Sequence, residues 1–370
     1  MISVQPSDVD RILDEAIRVQ QIPAPTFQEK QRSDYVCQRF VKSGLARVTQ
    51  DRLFNVYGRI PGQGAPPVVV SAHLDTVFDL QTDLTIKQEP QRIHGPGIGD
   101  NSLSVAVLIC LKQIVDRFPE QPRGDIILVA NAREEGLGNL AGIKAVVERL
   151  ASEHPKAYLV LEGADQDRLY IRGVGSQRFK VTVTTKGGHS WSDFGQPNAI
   201  HHLARVAAAL ADLTLPESPK TTLNIGMIQG GRSVNTIAES ASLLLDLRSV
   251  DEQRLKTLVN EVVQRIDTFA CDGVHLSRED MGSRPAGEID PDAPLIRLCK
   301  RICADHGITD LKLKAGSTDA NIPFSKHIPA VCLGLTYGEN AHLESEFIET
   351  EPLGTGISIL VQLLEQIWKI

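Results

Sequence analysis

Residues 125–138 read DIILVANAREEGLG. An unbroken apolar run gives way to two adjacent acids, Glu134 and Glu135, and then to a Gly-rich turn. Strands covered on both faces read as continuous apolar runs, and open α/β sheets carry their chemistry just beyond the carboxyl ends of such strands. One carboxylate of the pair is thus placed to bind a metal and its neighbour to act as a base. Two acids ahead of a helix also complement its positive end, so the pair alone does not decide the chemistry. It does decide the fold class, because PVVVSA (67–72) and AYLVLE (157–162) repeat the same texture.

Outward from that stretch, the spacing predicts helices over 7–21, 27–44, 102–118 and 140–151, and strands over 53–59, 67–72, 125–131 and 157–161. From about Ser176 the texture changes. FKVTVTTKG, TLNIGMIQGG, ASLLLDLRS and VHLSRED read as further strands, the first two of them half-exposed, around the helices AIHHLARVAAALADL and EQRLKTLVNEVVQRIDTF. After Arg284 the first texture resumes, with a helix over 294–306, a strand over 330–334 and a terminal helix over 354–368. The expected architecture is α/β: a domain of residues 1–175 and 286–370 with a mixed sheet covered by helices, interrupted by a smaller α+β domain of residues 176–285. A chain of 370 residues exceeds what one core usually holds.

The formal charge is −7, from 39 basic and 46 acidic residues, and no basic run tracks a phosphate backbone, so no nucleic acid partner is expected. The amino terminus lacks a basic segment followed by an apolar core, and no stretch reads as a membrane span; the expectation is a cytoplasmic protein without a membrane partner. The six cysteines are scattered through apolar surroundings, and Cys299 and Cys303, four apart on one helix, are expected to pack in a core.

Five segments place acids or histidines at strand ends. In VVVSAHLDTV, His73 ends a strand and Asp75 is spaced to hold its imidazole in one tautomer. Asp100 leaves the Gly-rich loop HGPGIGDNS, which matches no nucleotide fingerprint. Glu134 and Glu135 are the third segment. Glu162 ends AYLVLEG, with Asp165 and Asp167 as alternatives, and His342 lies in TYGENAHLESE. Each singly reads as an ordinary strand-end or loop residue. Together they supply two histidines and three carboxylates for metal, with one acid to spare. Two divalent cations against Asp100, Glu135, Glu162 and a bridging hydroxide leave such a site near neutral, and imidazole with carboxylate and no thiolate suits Zn2+, with Co2+ or Mn2+ as substitutes.

The ordered set SAHLDTV, GPGIGDN, NAREEGLG, LVLEG, TKGGHSW, IQGGRSVNTIAESASLLLDLRS, AGSTDAN and ENAHLESE resembles the two-zinc peptidases and deacylases. That family includes peptidase T, the glutamate carboxypeptidases, acetylornithine deacetylase and succinyl-diaminopimelate desuccinylase. The resemblance covers nearly the whole chain and implies a zinc-peptidase-like domain with an inserted dimerisation or lid domain. It implies that Asp100 bridges two Zn2+ ions, that His73 and Glu162 bind one and Glu135 and His342 the other, that Glu134 is the general base, and that Asp75 supports His73. It further implies a cis Asp100–Asn101 peptide, a homodimer, and His189 as an oxyanion donor to a neighbouring site. Asn235, Arg284, Gly316 and Ser317 resemble substrate-binding positions that engage a carboxylate, with Arg168 a weaker candidate, and Trp191 either touches substrate or packs the domain. His94, His154, His201, His202, His275, His306 and His327 match no motif position. STDANI and IPAVCLGLTYGENAH look nearest to peptidase T, so the expected substrate is a di- or tripeptide cleaved from its amino end. An N-acyl amino acid, or a peptide cleaved from its carboxyl end, is the alternative. A catalytically inactive binding homologue is the remote one.

Overall fold

The computed structural model describes residues 3–370. Contacts divide the chain into two compact units, one of residues up to Gly173 together with Glu288–Ile370, the other Val174–Gly287.

In the first unit a mixed sheet runs in the order Ala46–Gln50, Val56–Ile60, Gly124–Asn131, Ala65–His73, Ala157–Leu161, Ala330–Leu333 and Arg168–Gly173, with Lys312–Gly316 beside the last of these. The four strands Gly124–Asn131, Ala65–His73, Ala157–Leu161 and Ala330–Leu333 are mutually parallel. Their carboxyl ends, at Asn131, His73, Leu161 and Leu333, therefore share one edge. Alternate residues enter different cores. Val68, Val70, Ile126, Leu128 and Leu159 pack with the helices Pro6–Gln20, Lys30–Lys42, Ser104–Val115, Pro294–Asp305 and Leu353–Gln366. Val69, Ile127, Val129, Tyr158 and Val160 pack with the helices Ala141–Leu150 and Asn321–Ser325. Two buried faces account for the continuous apolar runs, each fully buried aliphatic side chain contributing about 1.5–3 kcal/mol.

The sequence reading needs several corrections. The helix expected from residue 27 starts at Lys30, because Phe27 has φ 75° and donates its N–H to Glu29. The strand expected from residue 53 starts at Val56, because the Asp51 carboxylate accepts the N–H groups of Leu53 and Asn55 and holds a turn. The run Ile98–Val115 is long and apolar enough to cross a membrane, contrary to expectation, but 83% of it is buried inside the molecule. A small antiparallel sheet was missed: Gly338–Glu339, Phe347–Glu349, Arg92–His94 and Lys87–Glu89, in that order. Its strands are two or three residues long, too short for a periodicity signal.

The second unit is a four-stranded antiparallel sheet in the order Thr221–Gly230, Ser240–Ser249, Gly175–Thr185 and Val274–Arg284. The helices Ala199–Ala211 and Glu252–Asp267 cover one face around Val181, Val183, Leu243 and Leu245. Asn198 and Asp251 cap these helices, accepting N–H groups of Ile200 and His201 and of Arg254.

Candidate metal centre

Three of the parallel strand ends and two loops bring six of the candidate residues together. His73 closes its strand, fully buried, with Nδ1 2.9 Å from the Asp75 carbonyl. A carbonyl only accepts, so Nδ1 carries the proton and Nε2 is bare in the neutral ring. That Nε2 lies 3.0 Å from Asp100 Oδ1 and 3.6 Å from Glu162 Oε2. His342 Nε2 lies 3.1 Å from Asp100 Oδ2 and 3.3 Å from Glu135 Oε1. The potential ligand atoms form overlapping groups: His73, Asp100 and Glu162; Asp100, Glu135 and His342; and His73, Glu134 and Glu135. Asp100 is common to the first two and offers one oxygen to each histidine.

These residues fit a metal pair. Nε2 of His73 and Oδ1 of Asp100 are acceptors facing each other, and the buried Oδ1 has no hydrogen-bond partner among the described residues. Two acceptors at that distance need a cation between them. Ligands at zinc distances in tetrahedral geometry stand about 3.3 Å apart, close to the separations observed. In the absence of metal the same charges draw protons. Hydrogen bonds to Asp100 and Glu135 push the His342 imidazole up to about 10. Burial opposes the charged form of His73, but Asp100 and Glu162 outweigh it and hold that ring well above its usual range. Burial raises Glu162, whereas at Asp100 the two imidazoles overcome burial and keep the carboxyl low.

Local chain geometry builds these positions. The Asp100–Asn101 peptide is cis, and Asn101 Nδ2 donates to the Leu161 carbonyl at 2.8 Å, tying this loop to the strand that carries Glu162. Arg133 and His342 adopt φ 62° and 69°, the left-handed region, on either side of the cluster. Asp75 holds His73 as the spacing suggests, but with its backbone rather than its carboxylate. It holds the His73 tautomer through its backbone carbonyl, while its fully buried carboxylate accepts the N–H groups of Glu134 and Glu135, each at 2.9 Å, and the Thr26 hydroxyl. Of the alternatives to Glu162, Asp165 pairs with Arg168 and Tyr170, and Asp167 with Lys312.

Gly316 ends the strand Lys312–Gly316, where a Cβ would meet the Tyr170 ring at 2.7 Å; Ser317 follows it. Within the inserted unit, His189 is exposed and pairs with Thr236. Its Nδ1 accepts the N–H groups of Trp191 and Ser192 at 3.2 and 3.3 Å, so the proton of the neutral ring sits on Nε2. Asn235 is exposed and Trp191 is 87% exposed, which removes the packing reading of the tryptophan within this unit. Arg284 is buried at the end of its strand.

Sequence reasoning missed two buried acids. Asp319, in the AGSTDAN segment, accepts from Asn131 Nδ2 at 2.7 Å, and burial pushes its carboxyl up to about 7. Glu346, four residues after His342, accepts three backbone N–H groups, and burial pushes it up to about 8. Both stood in quoted segments, and an acid four residues past a candidate ligand was the available signal.

A mixed sheet with histidines and carboxylates converging at its parallel strand ends defines a class of metal-dependent hydrolases. Residues 69–366 match the family described as Peptidase family M20/M25/M40, and the chain belongs to it. The succinyl-diaminopimelate desuccinylase of Corynebacterium glutamicum is 26% identical over 362 residues, covering 94% of this chain and 95% of that protein. A tripeptidase from Staphylococcus aureus superposes with a TM-score of 0.83 at 20% identity, over 98% of this chain and 99% of its own. The aminopeptidase PepT of Bacillus cereus gives a TM-score of 0.79 at 20% identity, over 97% and 99%.

Proposed function

We propose that the protein is a two-zinc hydrolase of short peptides, acting as a di- or tripeptide aminopeptidase. The observation that supports this most is Asp100, whose two oxygens each face one histidine within overlapping ligand groups, with Glu134 buried alongside. His73, Asp100 and Glu162 would hold one ion, and Asp100, Glu135 and His342 the other. Bound zinc lowers the pKa of water to about 7 and polarises a carbonyl. Glu134 accepts the proton of the attacking water and delivers it to the leaving amine. Asp75 fixes the backbone of Glu134, and so the direction of its carboxylate. His189, protonated on Nε2, donates to the developing oxyanion of a site in a partner subunit. Arg284, Asn235, Gly316 and Ser317 are the candidates that the family resemblance offers for binding a substrate carboxylate.

The family resemblance favours di- or tripeptides, and the fold likeness to a tripeptidase is in keeping with it. A second reading, an N-acyl amino acid deacylase, is favoured by the relative in Corynebacterium glutamicum named as a desuccinylase. Assay of the zinc-loaded protein against tripeptides, dipeptides and N-acyl amino acids separates the two. Preference for free-amino tripeptides, lost on amino acetylation, is the expected result; turnover confined to acylated amino acids would replace the first reading with the second.

A further inference from the structure

The short sheet missed in the sequence adjoins the loop that carries Asp100. Its strands Arg92–His94 and Phe347–Glu349 are antiparallel, with Phe347 opposite His94, so Glu346 falls across from Gly95. Gly95 donates its N–H to the Glu346 carbonyl at 2.9 Å. The Glu346 side chain, 2% exposed, then turns under the loop that leads to Asp100. Its Oε2 accepts the Gly97 N–H at 2.5 Å, and its Oε1 accepts the Gly99 and Asp100 N–H groups, both at 2.8 Å. Backbone N–H groups of one loop turned inward form a concave acceptor site, here filled by a side chain of the protein itself. Gly97 has φ 71°, and a Cβ on Gly99 would stand 2.8 Å from Glu346 Oε1, so the loop is shaped to this carboxylate.

We propose that Glu346 is a positioning residue for the metal pair: its carboxylate sets where the Asp100 carboxylate stands. The inference rests on the reading that Asp100 bridges two ions. His342 lies in the same turn, closed by the Leu343 N–H to Asn340 carbonyl and Glu346 N–H to Leu343 carbonyl bonds at 2.9 and 3.0 Å. Glu346 thus mounts Asp100 and His342 on one hydrogen-bonded unit. Asp75 offers the parallel case, a buried carboxylate gripping the N–H groups of Glu134 and Glu135 from another loop. Three N–H groups converge on the two Glu346 oxygens, and an amide offers only one such acceptor oxygen, which makes a carboxyl group the better clamp. Glu346→Gln keeps the shape but puts an NH2 donor against N–H donors. His73 and Glu162 do not hang on this turn, so the ion they share with Asp100 should suffer less.

The test uses the full chain, titrated with Zn2+ under chelator competition and, separately, loaded with two equivalents of Co2+ for electron paramagnetic resonance. Two Co2+ ions bridged by Asp100 in the wild type give a magnetically coupled spectrum. Glu346→Gln should weaken the second zinc equivalent by about 10- to 100-fold, the range for residues that orient ligands, and abolish the coupling, with the metal-free fold unchanged by circular dichroism. Gly99→Ala, which presses on the same carboxylate from the loop side, should reproduce the effect if Glu346→Gln does not fold. Unchanged affinities and coupling in a folded variant, or metal loss only in step with unfolding, overturn the proposal. A wild type that binds a single equivalent instead overturns the reading of the bridge.

Discussion

At the residue scale, the proposed roles of the adjacent acids differ. Glu134→Gln should keep its metal and lose at least about 10²-fold in turnover, whereas Glu135→Gln should lose metal affinity by about 10-fold or more. Equal metal loss in both variants, measured by elemental analysis after dialysis, would show the roles misassigned. Proton linkage gives a second test. His342 is raised to about 10 and His73 also lies above its usual range, so metal must displace protons from both rings at neutral pH. Zinc affinity should therefore rise with pH up to about 10, with proton release visible as a buffer-dependent heat in calorimetry. For the metal-free fold the sign is opposite: the contribution from the raised histidines is fully present below about 6.5 and lost as pH rises through their folded values. A zinc affinity that is flat between pH 6 and 9 would contradict this linkage. The acids and histidines that the structure gathers were legible because each ends an apolar run or leaves a Gly-rich loop. Glu346 and the carboxylate of Asp75 were not, because their partners are backbone N–H groups of distant segments, which leave no trace in side-chain spacing.

Elements report on the sequence through burial. The parallel strands were readable because both faces are covered, and the amphipathic helices because one face is. Starts of elements moved by a few residues where a side chain captured the backbone, as Asp51 does before the strand Val56–Ile60. The helix Pro6–Gln20 shows how such a capture stabilises an end. Asp8, buried in its first turn, accepts the Gln5 N–H at 2.9 Å and pairs with Arg117 at 2.5 Å. Burial pushes its carboxyl up, but the Arg117 and Gln5 bonds outweigh that and hold it below the usual range. Asp8→Ala should cost about 1–2 kcal/mol at pH 7, joining the loss of a helix-end bond to that of a partly exposed ion pair. Because the folded value is depressed, the stabilisation is present above the unfolded pKa of about 3.9 and fades as pH falls through the folded one. The gap between the urea midpoints of wild type and variant should accordingly be widest above about pH 4 and narrow as pH falls through the folded value; a gap that does not narrow in acid would remove the charge from the explanation.

For the whole molecule, the change from continuous to alternating apolar texture marked a sheet covered on both faces and a sheet covered on one, and both are present. What spacing alone did not reveal is any relation between the units, since residues such as His189 carry no signal of which site they serve. If His189 completes the site of a partner, mixing His189→Ala with Glu134→Ala under subunit exchange should restore about a quarter of the sites. No recovery despite exchange, or a fully active monomer, would assign His189 elsewhere. The bond from the Asp100 N–H to Glu346 has a consequence in time, since it joins residues 246 apart in sequence. During synthesis the inserted unit and its sheet leave the ribosome before Glu346 is made, so the loop holding the shared carboxylate waits without its clamp. Loading of a metal pair held by Asp100 and His342 would therefore belong to the last stage of biogenesis. A nascent chain arrested before residue 338 lacks both His342 and Glu346 and should fail to retain two ions, although it carries both acids of the DIILVANAREEGLG segment.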